Sequence, residues 1–144
     1  KSIVDATQYA SNPENRKEIS EAIAPTNYLN QPVPVIEQVL TGTYADGLGE
    51  VKQVPDRIDF DPFPWHSMGV WILTQMKRWG YIENDIDYKA VAEQVYLAAD
   101  CKKVMNDLGY DAPDITYKSH MIMGKSFDPE TPEAYVDSFA IKKG

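Results

Sequence analysis

The side chains best suited to chemistry in this sequence are two histidines, one cysteine and a cluster of aspartates. His66 lies between Trp65 and Ser67. An imidazole titrates near neutral pH, so this histidine could act as a general base or as a donor to an anion. No Asp or Glu lies within one helical turn of it to orient the ring. We therefore expect a first-turn helix residue that makes one hydrogen bond, and we keep His66, Ser67 and Trp65 as the candidates for ligand binding.

A thiol–imidazole pair of Cys101 and His120 is the other catalytic arrangement that the composition allows. Cys101 falls on the apolar face of a predicted helix, where buried and inert thiols are common. Neither residue sits in a recognisable catalytic motif, so we predict no catalytic residue. Because the chain has a single cysteine, it can form neither an internal disulfide nor a cysteine-based zinc site.

Three aspartates, Asp56, Asp59 and Asp61, come close together in a loop-like segment. Calcium prefers several oxygen ligands in a flexible loop, but this segment lacks the length, central glycine and closing glutamate of an EF-hand. We therefore expect a solvated acidic loop and no metal site. The nearby stretch GTYADGLG has neither the GxGxxG pattern nor the Lys–Ser/Thr of a phosphate loop. No cofactor is expected.

Residues 63 to 82 hold all three tryptophans and the clearest helical pattern. The spacing of the apolar residues predicts a helix that packs in the core, rather than an aromatic cage for a ligand. Lys77 and Arg78 fall in its last turn, where cations favour the helix dipole, and Gly80 suits the position after its end. The stripe that we expect to be buried consists of Trp65, Met68, Ile72, Met76 and Trp79.

Two shorter helices are predicted before residue 25, where Pro25 stops the second. Asn12 is a plausible cap for that second helix, because Pro13 suits its first position. We expect the buried faces to be Ile3, Ala6, Thr7 and Ala10 in the first helix, and Ile19, Ala22 and Ile23 in the second.

Further helices are predicted up to about residue 108, with a break at 42–62. One helix ends before Gly42, and a small hairpin is expected in the loop-like segment that follows. Two helices then follow. The first should bury one face that carries Tyr88, Val91 and Val95, and the second a face that carries Cys101, Val104, Met105 and Leu108. Residues 109 to 144 should form an extended tail with one short helix, capped by Thr131 with Pro132 first.

Composition bounds the class of protein. The chain has 144 residues, about the size of one domain, and 43% of them are hydrophobic. Its net charge of −8 and its longest basic runs, pairs such as Lys142–Lys143, argue against nucleic-acid binding and against polybasic docking on membranes. The start has no initiator methionine and no secretory apolar segment, so we expect a processed product or a fragment.

Several separated blocks, in the right order, resemble the C-terminal part of the nitrate/bicarbonate-type substrate-binding proteins of ABC transporters. That family shows a motif of the form F-P-x-x-S-x-G-x-W-F-L-T-Q-x-x-R-W-G, in which Ile72 replaces the commoner aromatic residue. Upstream, NPENRKEISEAIAPTNYLNQPVPVI is similar to the preceding helix pair; downstream, DYKAVAEQVY and FDPETPEAYVDSFAIK are similar to the next helix and the closing segment. The matching motif residues are Phe63, Pro64, Ser67, Gly69, Trp71, Leu73, Thr74, Gln75, Arg78, Trp79 and Gly80.

The resemblance implies an α/β, two-lobed periplasmic-binding-protein-like fold of type II in the full protein. Residues 1–144 would be a helix-dominated C-terminal portion of it, with few short strands. It implies a non-enzymatic, solute-binding component of an ABC transporter for a small oxyanion of the nitrate, nitrite or bicarbonate class. The anion-contacting residues would come largely from earlier segments, which leaves the tryptophan-rich helix as scaffold.

The partners implied are a small inorganic anion, the ABC permease subunits and the remainder of the same polypeptide. The location implied is the periplasm, or the extracytoplasmic side of the membrane with the protein anchored to that membrane. Two alternatives stay open: a regulatory domain of this type fused to a transporter ATPase, which would be cytoplasmic, and a pyrimidine-synthase-like enzyme on the same scaffold. In isolation, a helix-rich segment that exposes an apolar face is expected to form homo-oligomers.

Overall fold

The computed structural model of the protein describes residues 1 to 141. It divides into two compact units, one of residues 1–62 and one that begins at Phe63. The basic pair Lys142–Lys143 and the last residue of the family-like segment lie outside the described residues. Within the described residues no helix is both long and apolar enough to cross a membrane.

The first unit contains three helices, α1 (Ser2–Ser11), α2 (Arg16–Ile23) and α3 (Val33–Thr41), and a single 3-10 turn, Pro13–Asn15, before α2. The predicted cap residue caps this 3-10 turn rather than α2 itself, because Asn12 Oδ1 accepts the backbone N–H of Glu14 at 3.1 Å, while α2 begins after Asn15 without a side-chain cap bond. Gly42 ends α3 with φ 73°, as predicted. A side chain there would also strike the backbone, since an added Cβ would lie 1.9 Å from the carbonyl oxygen of Val54.

Two buried faces predicted for this unit are partly wrong. In α1, Val4 and Ala10 are buried, whereas Ile3 is 75% exposed. In α2 the buried residues are polar, Arg16 and Ser20, and Ala22 is exposed. The apolar pattern misled the prediction because the inward side of α2 is filled by an arginine that satisfies backbone carbonyls, rather than by alkyl groups.

The expected hairpin is present. Strand β1 (Thr43–Ala45) pairs antiparallel with β2 (Val51–Gln53). The Asp46 carboxylate accepts the backbone N–H of Leu48 at 2.8 Å and that of Glu50 at 3.1 Å. These bonds favour the ionised form and lower the pKa of Asp46 below its usual range.

The second unit contains helices α4 (His66–Arg78), α5 (Tyr88–Val95), α6 (Ala98–Asp107) and α7 (Pro132–Asp137). The tail that we expected to be irregular carries a second antiparallel hairpin of β3 (His120–Ile122) and β4 (Lys125–Phe127). Its turn residues Met123 and Gly124 have φ of 55° and 72°. The sequence did not predict this hairpin, because strands of only three residues give too short a pattern to recognise.

The core of the second unit lies between α4, α5, β4 and α7. A close crossing of α4 and α5 occurs at Gly69, where an added Cβ would lie 3.0 Å from the Cβ of Ala92. The fully buried Phe127 meets Tyr135 edge to face, with ring centroids 5.2 Å apart. The buried cluster consists of Val70, Tyr88, Ala92, Phe127 and Tyr135.

The buried stripe predicted for α4 is wrong in its last three members. Ile72, Met76 and Trp79 are 41%, 39% and 46% exposed. The buried face instead consists of Ser67, Gly69, Val70, Thr74 and Arg78. The side chain of Ala92 lies close to Gly69, and the backbone of Lys118 reaches Ser67, so burial on this face follows side-chain size and hydrogen bonding more than hydrophobicity. In α5, likewise, Ala92 is buried and Val95 is 66% exposed.

Candidate functional site

The three candidate ligand-binding residues meet at the start of α4. Trp65 stands just before the helix, which begins at His66, and it makes no side-chain cap bond. The loop that precedes β3 runs past this end of the helix, because the backbone N–H of Ser67 donates to the carbonyl oxygen of Thr116 at 3.4 Å. We call the residues around this contact, namely Trp65, His66, Ser67, Thr116, Lys118 and His120, the α4 junction.

His66 uses both of its ring nitrogens inside the protein, which corrects the expectation of one hydrogen bond. Nε2 lies 3.0 Å from the carbonyl oxygen of Tyr96, and Nδ1 lies 3.0 Å from the hydroxyl of Thr116. A carbonyl only accepts, so Nε2 carries a proton and donates it. In the neutral ring Nδ1 then accepts from the Thr116 hydroxyl. A ring held this way has no open nitrogen with which to act as a base.

Ser67 ties α4 to the segment that leads into β3. Its side chain is fully buried, its Oγ lies 2.8 Å from Nε2 of His120, and it accepts the backbone N–H of Lys118 at 3.3 Å. A serine next to an imidazole resembles a nucleophile and its base. Here, however, the hydroxyl is fully buried, and its contacts join α4 to the segment that leads into β3.

Trp65 is half-buried between aromatic rings and a cation. Its ring meets Phe63 edge to face at 4.9 Å and lies 6.5 Å from the ring of His120. The ammonium of Lys118 lies 3.6 Å from the ring centroid, a cation–π contact. The side chains of the α4 junction are therefore held by hydrogen bonds, edge-to-face ring contacts and a cation–π contact.

The other candidates lie on separate elements of the described structure. The structure brings His120 to Ser67, while Cys101 is half-buried on α6. Asp56 and Asp59 line an open cleft of about 360 Å3 in the first unit together with Arg16. Among residues 1–141, no three His, Cys, Asp or Glu side chains are grouped so as to hold a metal ion.

Two buried arginines were missed from the sequence. Arg16 is 8% exposed, and its Nη1 donates to the carbonyl oxygens of Leu40 at 2.8 Å and Pro55 at 3.2 Å. Arg78 is 7% exposed, and its guanidinium carbon lies 3.9 Å from the centroid of the Phe139 ring. The position of Arg78 in the last turn of the predicted helix suggested only a favourable interaction with the helix dipole, and no local pattern signalled the burial of either arginine.

Comparison with known proteins gives consistent matches across the chain, although no family model matches. The nitrate/nitrite binding protein NrtA of Nostoc sp. is 30% identical over 98% of this chain and 34% of its own length. The bicarbonate-binding protein CmpA of Synechococcus elongatus is 23% identical over 98% of this chain. The crystal structure of the periplasmic nitrate-binding protein NrtA from Synechocystis PCC 6803 superposes on 95% of this chain with a TM-score of 0.86 and 26% identity.

The resemblance to the nitrate/bicarbonate-type substrate-binding proteins is therefore confirmed over nearly the whole chain, in sequence and in fold. The fold expected from the resemblance, a helix-dominated portion of a two-lobed α/β binding protein, is confirmed. The chain spans about a third of the length of the curated binding proteins that it matches. It also matches 22% of the nitrate import ATP-binding protein NrtC of Synechocystis, at 27% identity.

Proposed function

We propose that the chain is part of the solute-binding component of an ABC transporter for a small oxyanion of the nitrate, nitrite or bicarbonate class. The observation that carries this proposal is the match to NrtA over nearly the whole chain, in sequence and in fold. In this proposal the protein acts outside the cytoplasmic membrane, hands its anion to permease subunits and catalyses no reaction. Closure of the lobes around the anion would produce the form that docks on the permease.

In this function we propose that residues 63–141 serve as scaffold. The α4 junction supports this role, because the polar side-chain atoms of His66 and Ser67 are hydrogen-bonded within the protein. Their partners are Tyr96, Thr116 and His120. An oxyanion needs N–H donors or cations to replace its water. Those donors would come from other segments of the whole protein.

Titration calorimetry tests the proposal on the whole protein that contains this chain. Nitrate, nitrite, bicarbonate and a sulfonate are titrated separately, and the proposal expects saturable heat with at least one of the first three. The absence of heat with all of them would refute the anion class. A matched measurement on His66→Gln tests the scaffold role, because the variant should lower the stability of the protein and leave the affinity for the anion within about threefold.

A second candidate is a regulatory module on a transporter ATPase. The observation that favours it is the match to the ATP-binding proteins NrtC and CmpC of Synechocystis, at 27% and 26% identity over 99% of this chain. The mass of the intact mature polypeptide distinguishes the two candidates. An ATPase domain on the same polypeptide would favour regulation, and its absence would favour the solute-binding component.

A further inference from the structure

The loop between β1 and β2 carries the pair of residues best suited to rearrange its own backbone. Asp46 and Gly47 form the only Asp–Gly pair in the sequence, which has no Asn–Gly pair. They follow β1 directly, and residues 47–50 are exposed to solvent. Glycine has no side chain, so nothing attached to Gly47 shields its backbone nitrogen. The pair is therefore suited to ring closure between that nitrogen and the neighbouring carboxyl group.

The chemistry is a loss of water followed by its return. The Gly47 nitrogen attacks Cγ of Asp46, so that an N–C bond forms and a C–O bond breaks. The proton of the nitrogen and the hydroxyl of the carboxyl group leave together as water, and a five-membered succinimide remains. Water then adds to one of the two ring carbonyls and cleaves the C–N bond there. One route restores Asp46, and the other leaves the main chain running through Cγ, which is an isoaspartate.

The folded loop opposes the first of these steps. Asp46 Oδ1 accepts the backbone N–H of Leu48 at 2.8 Å and that of Glu50 at 3.1 Å, and Oδ2 lies 3.6 Å from Nζ of Lys52. These contacts favour the carboxylate over the neutral acid, and a carboxylate has no hydroxyl to leave. Ring closure would also draw Cγ onto the Gly47 nitrogen and take Oδ1 away from both N–H groups.

We propose that Asp46 is a site of isoaspartate formation, and that the reaction proceeds only when the loop between β1 and β2 opens. Opening is local, because each strand has only three residues and both strands are largely exposed. The product would lengthen the main chain directly after the pair Ala45 and Val51, so it would hinder closure of the hairpin. The proposal goes beyond the proposed function, because the reaction requires neither an anion nor a transporter.

Rates of isoaspartate formation test the proposal, at physiological temperature and neutral pH. The whole protein that contains this chain is compared with a synthetic peptide of residues 43–52, and the isomers, which have equal mass, are separated by chromatography after digestion. The folded protein should react at least about tenfold more slowly than the peptide. In urea above the unfolding midpoint its rate should come within about threefold of the peptide's. A folded rate equal to that of the peptide, or no isoaspartate in the unfolded protein, would overturn the proposal.

A pair of variants at Leu48 tests the hydrogen bonds themselves. Leu48→Pro removes one N–H donor to Asp46, and it costs little packing because the Leu48 side chain is 89% exposed. The rate in the folded protein should rise about threefold to tenfold. Leu48→Ala is the matched control, since it keeps the N–H, and its rate should stay within about twofold of the parent's. Both variants share any cover that other segments place over the loop, so equal rates in the two would overturn the proposal.

Gly42→Ala opens the hairpin from its base without altering Asp46 or Gly47. Gly42 has φ 73°, and an added Cβ would lie 1.9 Å from the carbonyl oxygen of Val54. This variant should react within about threefold of the peptide's rate. Gly80→Ala is its control, because Gly80 has φ 75° but follows α4 in the second unit, and its rate should stay within about twofold of the parent's. No acceleration by Gly42→Ala, or equal acceleration by both, would contradict local opening; if Gly42→Ala loses its helical circular dichroism, the Leu48 pair decides.

Discussion

Removal of the Ser67 hydroxyl is the sharpest test of whether the α4 junction holds the fold together. Ser67→Ala removes the hydrogen bonds that the hydroxyl makes with Nε2 of His120 and with the backbone N–H of Lys118. An unsatisfied buried polar group costs about 1–3 kcal/mol. His120 is only half-buried, so water recovers part of that cost, and alanine regains about 0.5 kcal/mol of helix propensity. We expect the free energy of unfolding to fall by about 2 kcal/mol.

Urea denaturation followed by tryptophan emission is the suitable assay, because all three tryptophans lie in the same unit as Ser67. With a urea dependence of about 2 kcal/mol per molar, the midpoint should fall by about 1 M. Thr74→Val is the matched control: Thr74 is also fully buried on α4, but its hydroxyl bonds only within the helix, donating to the carbonyl oxygen of Trp71 and accepting from Nε2 of the neighbouring Gln75 at 3.4 Å. That carbonyl stays within the helical ladder, so the control should lose less than about 1 kcal/mol.

An unchanged midpoint for Ser67→Ala would show that the junction does not hold the start of α4. Weaker anion binding by the whole protein, at unchanged stability, would show instead that Ser67 belongs to the ligand site. Either result would refute the scaffold role. Equal losses in Ser67→Ala and Thr74→Val would mean that the hydroxyls matter only as local helix contacts.

Three further predictions concern charge. Arg16→Leu should lower the free energy of unfolding by about 2–4 kcal/mol in urea denaturation, because two backbone carbonyls lose a charged donor. Asp46 should titrate below its usual pH range in an NMR titration, since the backbone N–H of Leu48 stabilises its carboxylate; its stabilising contribution is present above pH about 4 and lost as the pH falls further. Burial and then the hydrogen bond to Glu133 raise the pKa of Tyr88, so stability should decrease above pH about 10 and absorbance at alkaline pH should show this phenol ionising late.

Helix positions were largely predictable from the sequence because capping and stopping are local. Asn12 before Pro13 starts a helix, Gly42 ends one, and Thr131 stands before another. The hairpin of β3 and β4 was not predictable in this way, because its three-residue strands carry too little alternation to stand out.

Which face of each helix is buried was less predictable, because that depends on contacts between distant parts of the chain. The Ser67 hydroxyl meets an imidazole more than fifty residues away in sequence, and Arg16 meets the carbonyl of Pro55. No local pattern reports such partners. For the same reason the sequence did not show that His66, a candidate ligand-binding residue, is hydrogen-bonded to Thr116 and Tyr96.

The two faces of α4 contribute differently to folding. The inward face includes Ser67 and Thr74: the Ser67 hydroxyl accepts the backbone N–H of Lys118, and the Thr74 hydroxyl donates within its own helix. The outward face presents Ile72 and Met76, which are 41% and 39% exposed. Ser67→Ala should therefore move the urea midpoint, whereas Ile72→Gln should change it by no more than about 0.25 M. If Ile72→Gln lowered the midpoint as much as Ser67→Ala, the outward face would be part of the packed fold rather than exposed surface.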